Sequence, residues 1–96
     1  MNKINLALQV LPRAKDKDSY QLVDKAIAII EKSGVKYKVC PFETVMEGSY
    51  DELMEIVKKV HEECYNSGTE TMMTYIKIQS SVEKDVSIAD KMEKYS

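Results

Sequence analysis

One histidine, two cysteines, two prolines and three glycines stand among these 96 residues, and each scarcity removes a class of function. Any general-base or metal chemistry has to pass through the lone His61. Two cysteines without a CxxC spacing offer neither a disulfide framework nor a recognised set of zinc ligands. Gly34 and Gly68 sit where helix patterns end, so no glycine run is left for a phosphate loop or a dinucleotide fingerprint. No apolar run reaches 18 residues and the start, Met1–Leu6, lacks the apolar stretch of a secretory signal. The expectation is therefore a cytoplasmic chain with reduced thiols and no membrane partner. A basic excess is missing too. The formal charge is −2 with both signs mixed along the chain, which argues against a nucleic-acid partner.

What is present suffices for one domain, residues 1–96, because 44% apolar residues can fill a single modest core. Ile4, Leu6, Leu8 and Val10 alternate with Asn5, Ala7, Gln9 and Leu11, the two-residue period of a strand with one apolar face. Pro12 is expected to end it, since proline cannot donate to a ladder. After a charged loop, Arg13–Asp18, either Ser19 or Asp18 can cap a helix that carries Leu22, Val23, Ala26, Ile27 and Ile30 at helical spacing. Ser33-Gly34 closes it. Val35–Cys40 reads as a second strand, Pro41-Phe42 as a corner, and Glu43–Gly48 as a third strand paired with the second as a hairpin. Ser49-Tyr50-Asp51-Glu52 has the form of a capping box. It opens a second long helix with Tyr50, Leu53, Met54, Val57, Val60, His61 and Cys64 on its apolar stripe, terminated by Ser67-Gly68. Met72–Gln79 alternates again as a fourth strand. Ser80–Val86 is polar loop, and Ser87 with Asp90 caps a short last helix bearing Ile88, Met92 and Tyr95.

The order β-α-β-β-α-β-α implies an α+β, ferredoxin-like βαββαβ fold. Two helices cover one face of a four-stranded antiparallel sheet, and a short C-terminal helix follows. The opposite face then carries Asn5, Ala7, Gln9, Leu11, Lys36, Lys38, Met73, Tyr75 and Lys77. That mixture suits either a half-wet sheet surface or, as the preferred expectation, packing of sheets between subunits around Ala7, Leu11, Met73 and Tyr75. Such packing leaves clefts lined by Gln9, Lys77 and the strand ends.

No catalytic constellation assembles from these residues. His61 and Cys64 share a helical face, but a fourth zinc ligand is missing and no third group orients a Cys–His pair. A satisfied histidine at the core margin is expected instead, with neither metal nor cofactor. Glu43 and Glu47 share a strand face, where they either guard an edge or meet a cation. Tyr20, Tyr37, Phe42 and Tyr50 can stack on a ring or fill the core.

The segment Tyr37–Glu52 resembles the small thiamine-binding protein family. The shared pattern is a tyrosine, a short strand, Pro-hydrophobic-x-Thr-x-hydrophobic-Glu-Gly and an acidic helix start. His61-Glu62, Gly68, the strand Thr74–Ile78 and the end of the first strand, Gln9–Pro12, fit the same family, so the resemblance covers nearly the whole chain. It implies a ferredoxin-like protomer, a homodimer or homotetramer, and binding of thiamine or its hydroxymethylpyrimidine moiety without catalysis. Under that resemblance Glu47 can neutralise the cationic thiazolium, while Gln9, Ser19 and Thr44 supply hydrogen bonds to the aminopyrimidine. Tyr20 or Phe42 adds a cation–π contact of about 0.5–2 kcal/mol. The chain departs from the family at Glu43, where glycine is frequent. It departs again at Thr71, Gln79 and Ser81, where many relatives carry arginine, aspartate and arginine. Without those arginines a phosphate ester is not expected at that end.

Overall fold

Apolar alternation in four segments and helical periodicity in two give the fold its layers. A computed structural model describes residues 1–95; Ser96, the last residue of the expected domain, lies outside them. The elements are β1 (Ile4–Arg13), α1 (Ser19–Lys32), β2 (Lys36–Val39), β3 (Thr44–Gly48), α2 (Tyr50–Asn66), β4 (Thr71–Gln79) and α3 (Ile88–Met92), the last continued by a 3₁₀ turn over Glu93–Tyr95. The strands form one antiparallel sheet in the order β2-β3-β1-β4. This is the ferredoxin-like arrangement with α1 and α2 on one face.

Register sets the two faces. Leu6 pairs with Met46 and Ile78, and Leu8 with Thr44 and Ile76; Leu6, Leu8, Met46 and Thr44 are buried against the helix layer, while Ile76 and Ile78 on the edge strand stay 38% and 41% exposed. In that layer Ile4, Leu6, Leu8, Val10 and Met46 meet Ala26 and Ile30 of α1 and Leu53, Ile56, Val57, Val60 and Cys64 of α2. Asn5, Ala7, Val45, Lys38 and Lys77 lie on the other side by the same pairing.

Caps fix the helices in place. Asp18 rather than Ser19 is the N-cap of α1, its Oδ1 accepting from the Tyr20 amide at 2.9 Å. The Ser49 hydroxyl accepts from the Glu52 amide at 3.2 Å to start α2. Both helices end on glycines at positive φ, 82° at Gly34 and 107° at Gly68, a conformation in which a side chain is strained.

Three local expectations are corrected. β1 does not stop at Pro12 but runs to Arg13. The Arg13 carbonyl accepts from the Glu70 amide at 2.8 Å, so the polar groups of Pro12, one residue back, face the opposite edge. β3 pairs only with Ile4–Leu8, so that edge is vacant and the missing N–H breaks no bond. Ile56 joins the buried stripe of α2, whereas Tyr50 is exposed. The open sheet face is also partly covered, because residues 80–95 fold back over one end. Val86 donates its amide to the Lys3 carbonyl at 3.0 Å, Asn5 Nδ2 donates to the Val86 carbonyl at 3.2 Å, and Asp85 accepts the Lys3 amide at 2.7 Å.

Candidate ligand-binding site

One row of paired residues crosses the open face as Lys38, Val45, Ala7 and Lys77. Its two central side chains are small and apolar, and its two ends are long and cationic. α3 stands above this row and contributes Ile88, Lys91 and Met92. A methyl group at Ala7 cannot fill the space beneath such a wall, and a hollow of about 300 Å³ results. That is the lower end of the range that takes a small organic ligand. Asn5 and Gln79 close it at one end, Cys40 and Glu43 at the other.

Asn5 is only 3% exposed. Its amide nitrogen holds the tail through Val86, but its Oδ1 has no hydrogen-bond partner among the described residues. A buried acceptor left open is costly unless something donates to it, and Asn5 is part of the hollow's lining. Lys77 pairs with Glu43 at 3.3 Å. Partial burial pulls the Lys91 ammonium below the usual lysine range.

The six residues expected at a site fall in three places. Gln9, Phe42 and Thr44 border a second, smaller hollow of about 90 Å³ between α1 and the Cys40–Thr44 corner. Thr44 is buried there in the helix layer, while Phe42 is 81% exposed. Ser19 and Tyr20 open α1 and border neither hollow; Tyr20 is 80% exposed. Glu47 lies on the open face, but its Oε1 accepts from the Ile88 amide at 2.7 Å and so anchors α3. It borders a shallow depression with Lys36, Tyr37 and Ser87 on the other side of that helix. Lys77, expected to line a cleft between packed sheets, does border the hollow, whereas Asn5, Lys38 and Lys91 were not expected as site residues. Asn5 and Lys38 follow from alternation as open-face residues, but only the returning tail turns that face into a hollow.

His61 has a structural position. Its Nδ1–H donates to the Val57 carbonyl at 2.9 Å, which leaves Nε2 to accept from the Thr74 hydroxyl at 2.8 Å. Both ring nitrogens are thus engaged between α2 and β4. Cys64 is fully buried, and its thiol is pushed up first by burial and then by the Glu63 carboxylate. Cys40 is half-buried and unpaired. Among the described residues no three His, Cys, Asp or Glu side chains gather as a metal site, and no helix is long and apolar enough to cross a membrane.

Known proteins share this layout along the whole chain. A UPF0045 protein of Clostridium perfringens is 42% identical over 95 residues, covering 99% of both chains. A solved domain of unknown function, DUF77, from Bacillus cereus is 39% identical with a TM-score of 0.95, over 99% of this chain and 91% of that one. A Thermotoga maritima structure, of a protein provisionally assigned to thiamine biosynthesis or salvage, is 26% identical with a TM-score of 0.88, over 98% of this chain and 99% of that one. The family model described as thiamine-binding protein matches residues 6–96. With the fold, the matched span and these relatives in agreement, the chain belongs to the thiamine-binding protein family.

Proposed function

We propose that this chain is a non-enzymatic, cytoplasmic binding protein for thiamine or its hydroxymethylpyrimidine moiety, acting in vitamin salvage or sensing. The observation that carries the reading is the hollow over Ala7 and Val45, which is lined mainly by apolar and cationic side chains with the amide of Asn5 at its edge. An aminopyrimidine is flat, lies on small apolar side chains, and carries an amino group suited to a carbonyl oxygen. Family membership and the thiamine assignment of the Thermotoga maritima protein support the same ligand. The engagement of both His61 nitrogens favours binding without chemistry.

Calorimetric titration of the purified chain with thiamine and with hydroxymethylpyrimidine tests this. Saturable binding is expected for at least one, and Ala7→Leu, which fills the hollow from the open face, is expected to abolish it with the melting temperature preserved. No heat from either ligand refutes the assignment.

The reading includes assembly as a homodimer or homotetramer. Leu11, Met73 and Tyr75 are 44%, 59% and 48% exposed. Leu11 pairs with Met73 on the open face, and Tyr75 shares that face with them. β4 is an edge strand with unpaired backbone groups along its outer side. Solution mass should exceed that of one chain and fall on Tyr75→Glu. This patch also supports the second reading, a regulatory interaction module without a vitamin ligand, which an intact oligomer that binds neither compound would favour.

A further inference from the structure

Charge around the hollow is unbalanced in a way that a thiamine cation does not satisfy. Lys38 and Lys77 stand at the two ends of the floor row and Lys91 descends from α3, against the single carboxylate of Glu43. Glu43 is already engaged by Lys77 at 3.3 Å. Among the described residues no carboxylate stands within ion-pair distance of Lys38 or Lys91. The surplus is two positive charges, while the centre of the floor is uncharged. An aromatic phosphomonoester has the matching form, because its ring is neutral and its phosphate carries about −1.5 to −2 at neutral pH. A carboxylate would answer only half of that surplus.

The row also sets the distance. Lys38 and Lys77 are separated by three strand spacings, about 14 Å. Their flexible stems can reach inward from both sides toward the phosphate of a ligand whose ring lies on Ala7 and Val45. Lysine binds phosphate as a point charge and needs no fixed fork geometry. Lys91 approaches from the opposite wall, and no carboxylate among the described residues is within ion-pair distance of it.

From these features we propose that the hollow takes its heteroaromatic ligand as a phosphomonoester, with Lys38, Lys77 and Lys91 holding the phosphate. This rests on the small-molecule reading above and names the class of ligand within it. The absence of arginine at Thr71 and Ser81 does not remove cationic recognition, since lysines from β2, β4 and α3 supply it at a different place.

The test is calorimetry on the full chain with three probes: hydroxymethylpyrimidine, its monophosphate, and inorganic phosphate. The monophosphate is expected to bind about tenfold or more tightly than the alcohol, as one or two charge-assisted contacts supply. Raising the salt from about 50 to about 500 mM should shrink that ratio by screening. Lys38→Gln and Lys91→Gln should each remove most of it. Glu43→Gln, which frees Lys77, should tighten the monophosphate about threefold or more. Lys59→Gln, on the exposed side of α2, should leave the ratio unchanged, and melting curves of all variants should overlay. If the alcohol binds and its phosphate binds no more tightly, the inference is overturned while the binding reading stands. Inorganic phosphate binding as tightly as the ester also overturns it, because the ring then contributes nothing. If neither the alcohol nor the ester binds, both readings fall.

Discussion

Replacing Glu47 by alanine tests whether the tail is anchored to the sheet from beneath. Glu47 Oε1 accepts from the Ile88 amide at 2.7 Å, at the first residue of a five-residue helix that buries none of its own side chains. Hydrogen bonds to a charged group contribute about 1.5–3 kcal/mol, and partial exposure of Glu47 places this one near about 1.5 kcal/mol. Removing it leaves the Lys3–Val86, Asn5–Val86 and Lys3–Asp85 bonds in place. The cost therefore falls on local opening of α3, whose equilibrium should shift roughly tenfold. Native-state hydrogen exchange read by mass spectrometry resolves this. Peptides spanning residues 86–95 should exchange about tenfold faster in Glu47→Ala, while the amides of Leu53–Cys64 keep their parental rates. Glu47→Gln, which retains an acceptor, should lie between. Parental exchange in the tail of Glu47→Ala would refute the anchoring role. A fall of more than about 8 °C in the global melting temperature would refute its local character, since that corresponds to more than about 1–2 kcal/mol lost from the whole domain. A side chain that the thiazolium reading assigned to the ligand would then be known to hold a wall of the hollow instead.

Four further outcomes follow from the geometry. A double-mutant cycle of His61→Ala and Thr74→Val, measured by urea unfolding, should give a coupling of about 0.5–1.5 kcal/mol, that of one hydrogen bond between α2 and β4. Thiol titration of the native chain near pH 8 should label Cys40 but not Cys64. The raised Cys64 pKa keeps less thiolate than usual at that pH, and burial denies access, so denaturant should be needed to expose the second thiol. Leu53→Ala, at a fully buried contact of α2 with the sheet, should lower stability by about 2.7–5 kcal/mol in the same unfolding assay. Gly34→Ala meets no atom within 4 Å but must hold φ near 82°, so its loss, about 1 kcal/mol, should reflect backbone strain alone.

The helix layer was legible because its signals are local. Alternation over Ile4–Val10 and helical spacing over Leu22–Ile30 each state which face is buried, and serine or aspartate followed by glycine marks where each helix starts and stops. The candidate site was not legible, because nothing local joins its parts. Asn5 meets Val86 across 81 positions, and Lys38, Lys77 and Lys91 come from three elements brought together only by sheet order and the returning tail. Ser19 and Thr44 were named as hydrogen-bonding groups through the family resemblance, yet Ser19 opens α1 at the surface and Thr44 is buried on the helix side of the sheet, while the hollow under α3 lies on the opposite face. Pro12 misled for a related reason. Whether a proline ends a strand depends on which edge its nitrogen faces, and that edge is defined by strands distant in the sequence, β3 on one side and β4 on the other.

The unequal partners of β1 have a consequence of their own. Ile4–Leu8 is flanked on both sides, whereas Gln9–Arg13 has only β4 beside it, with Leu11 and Met73 turned outward. The first half of the strand commits the chain to its interior; the second half leaves a surface that the interior does not constrain. Substitutions there can alter what the molecule adheres to while every residue that decides the fold stays in place. A chain laid out in this way is free to change its company without changing its shape.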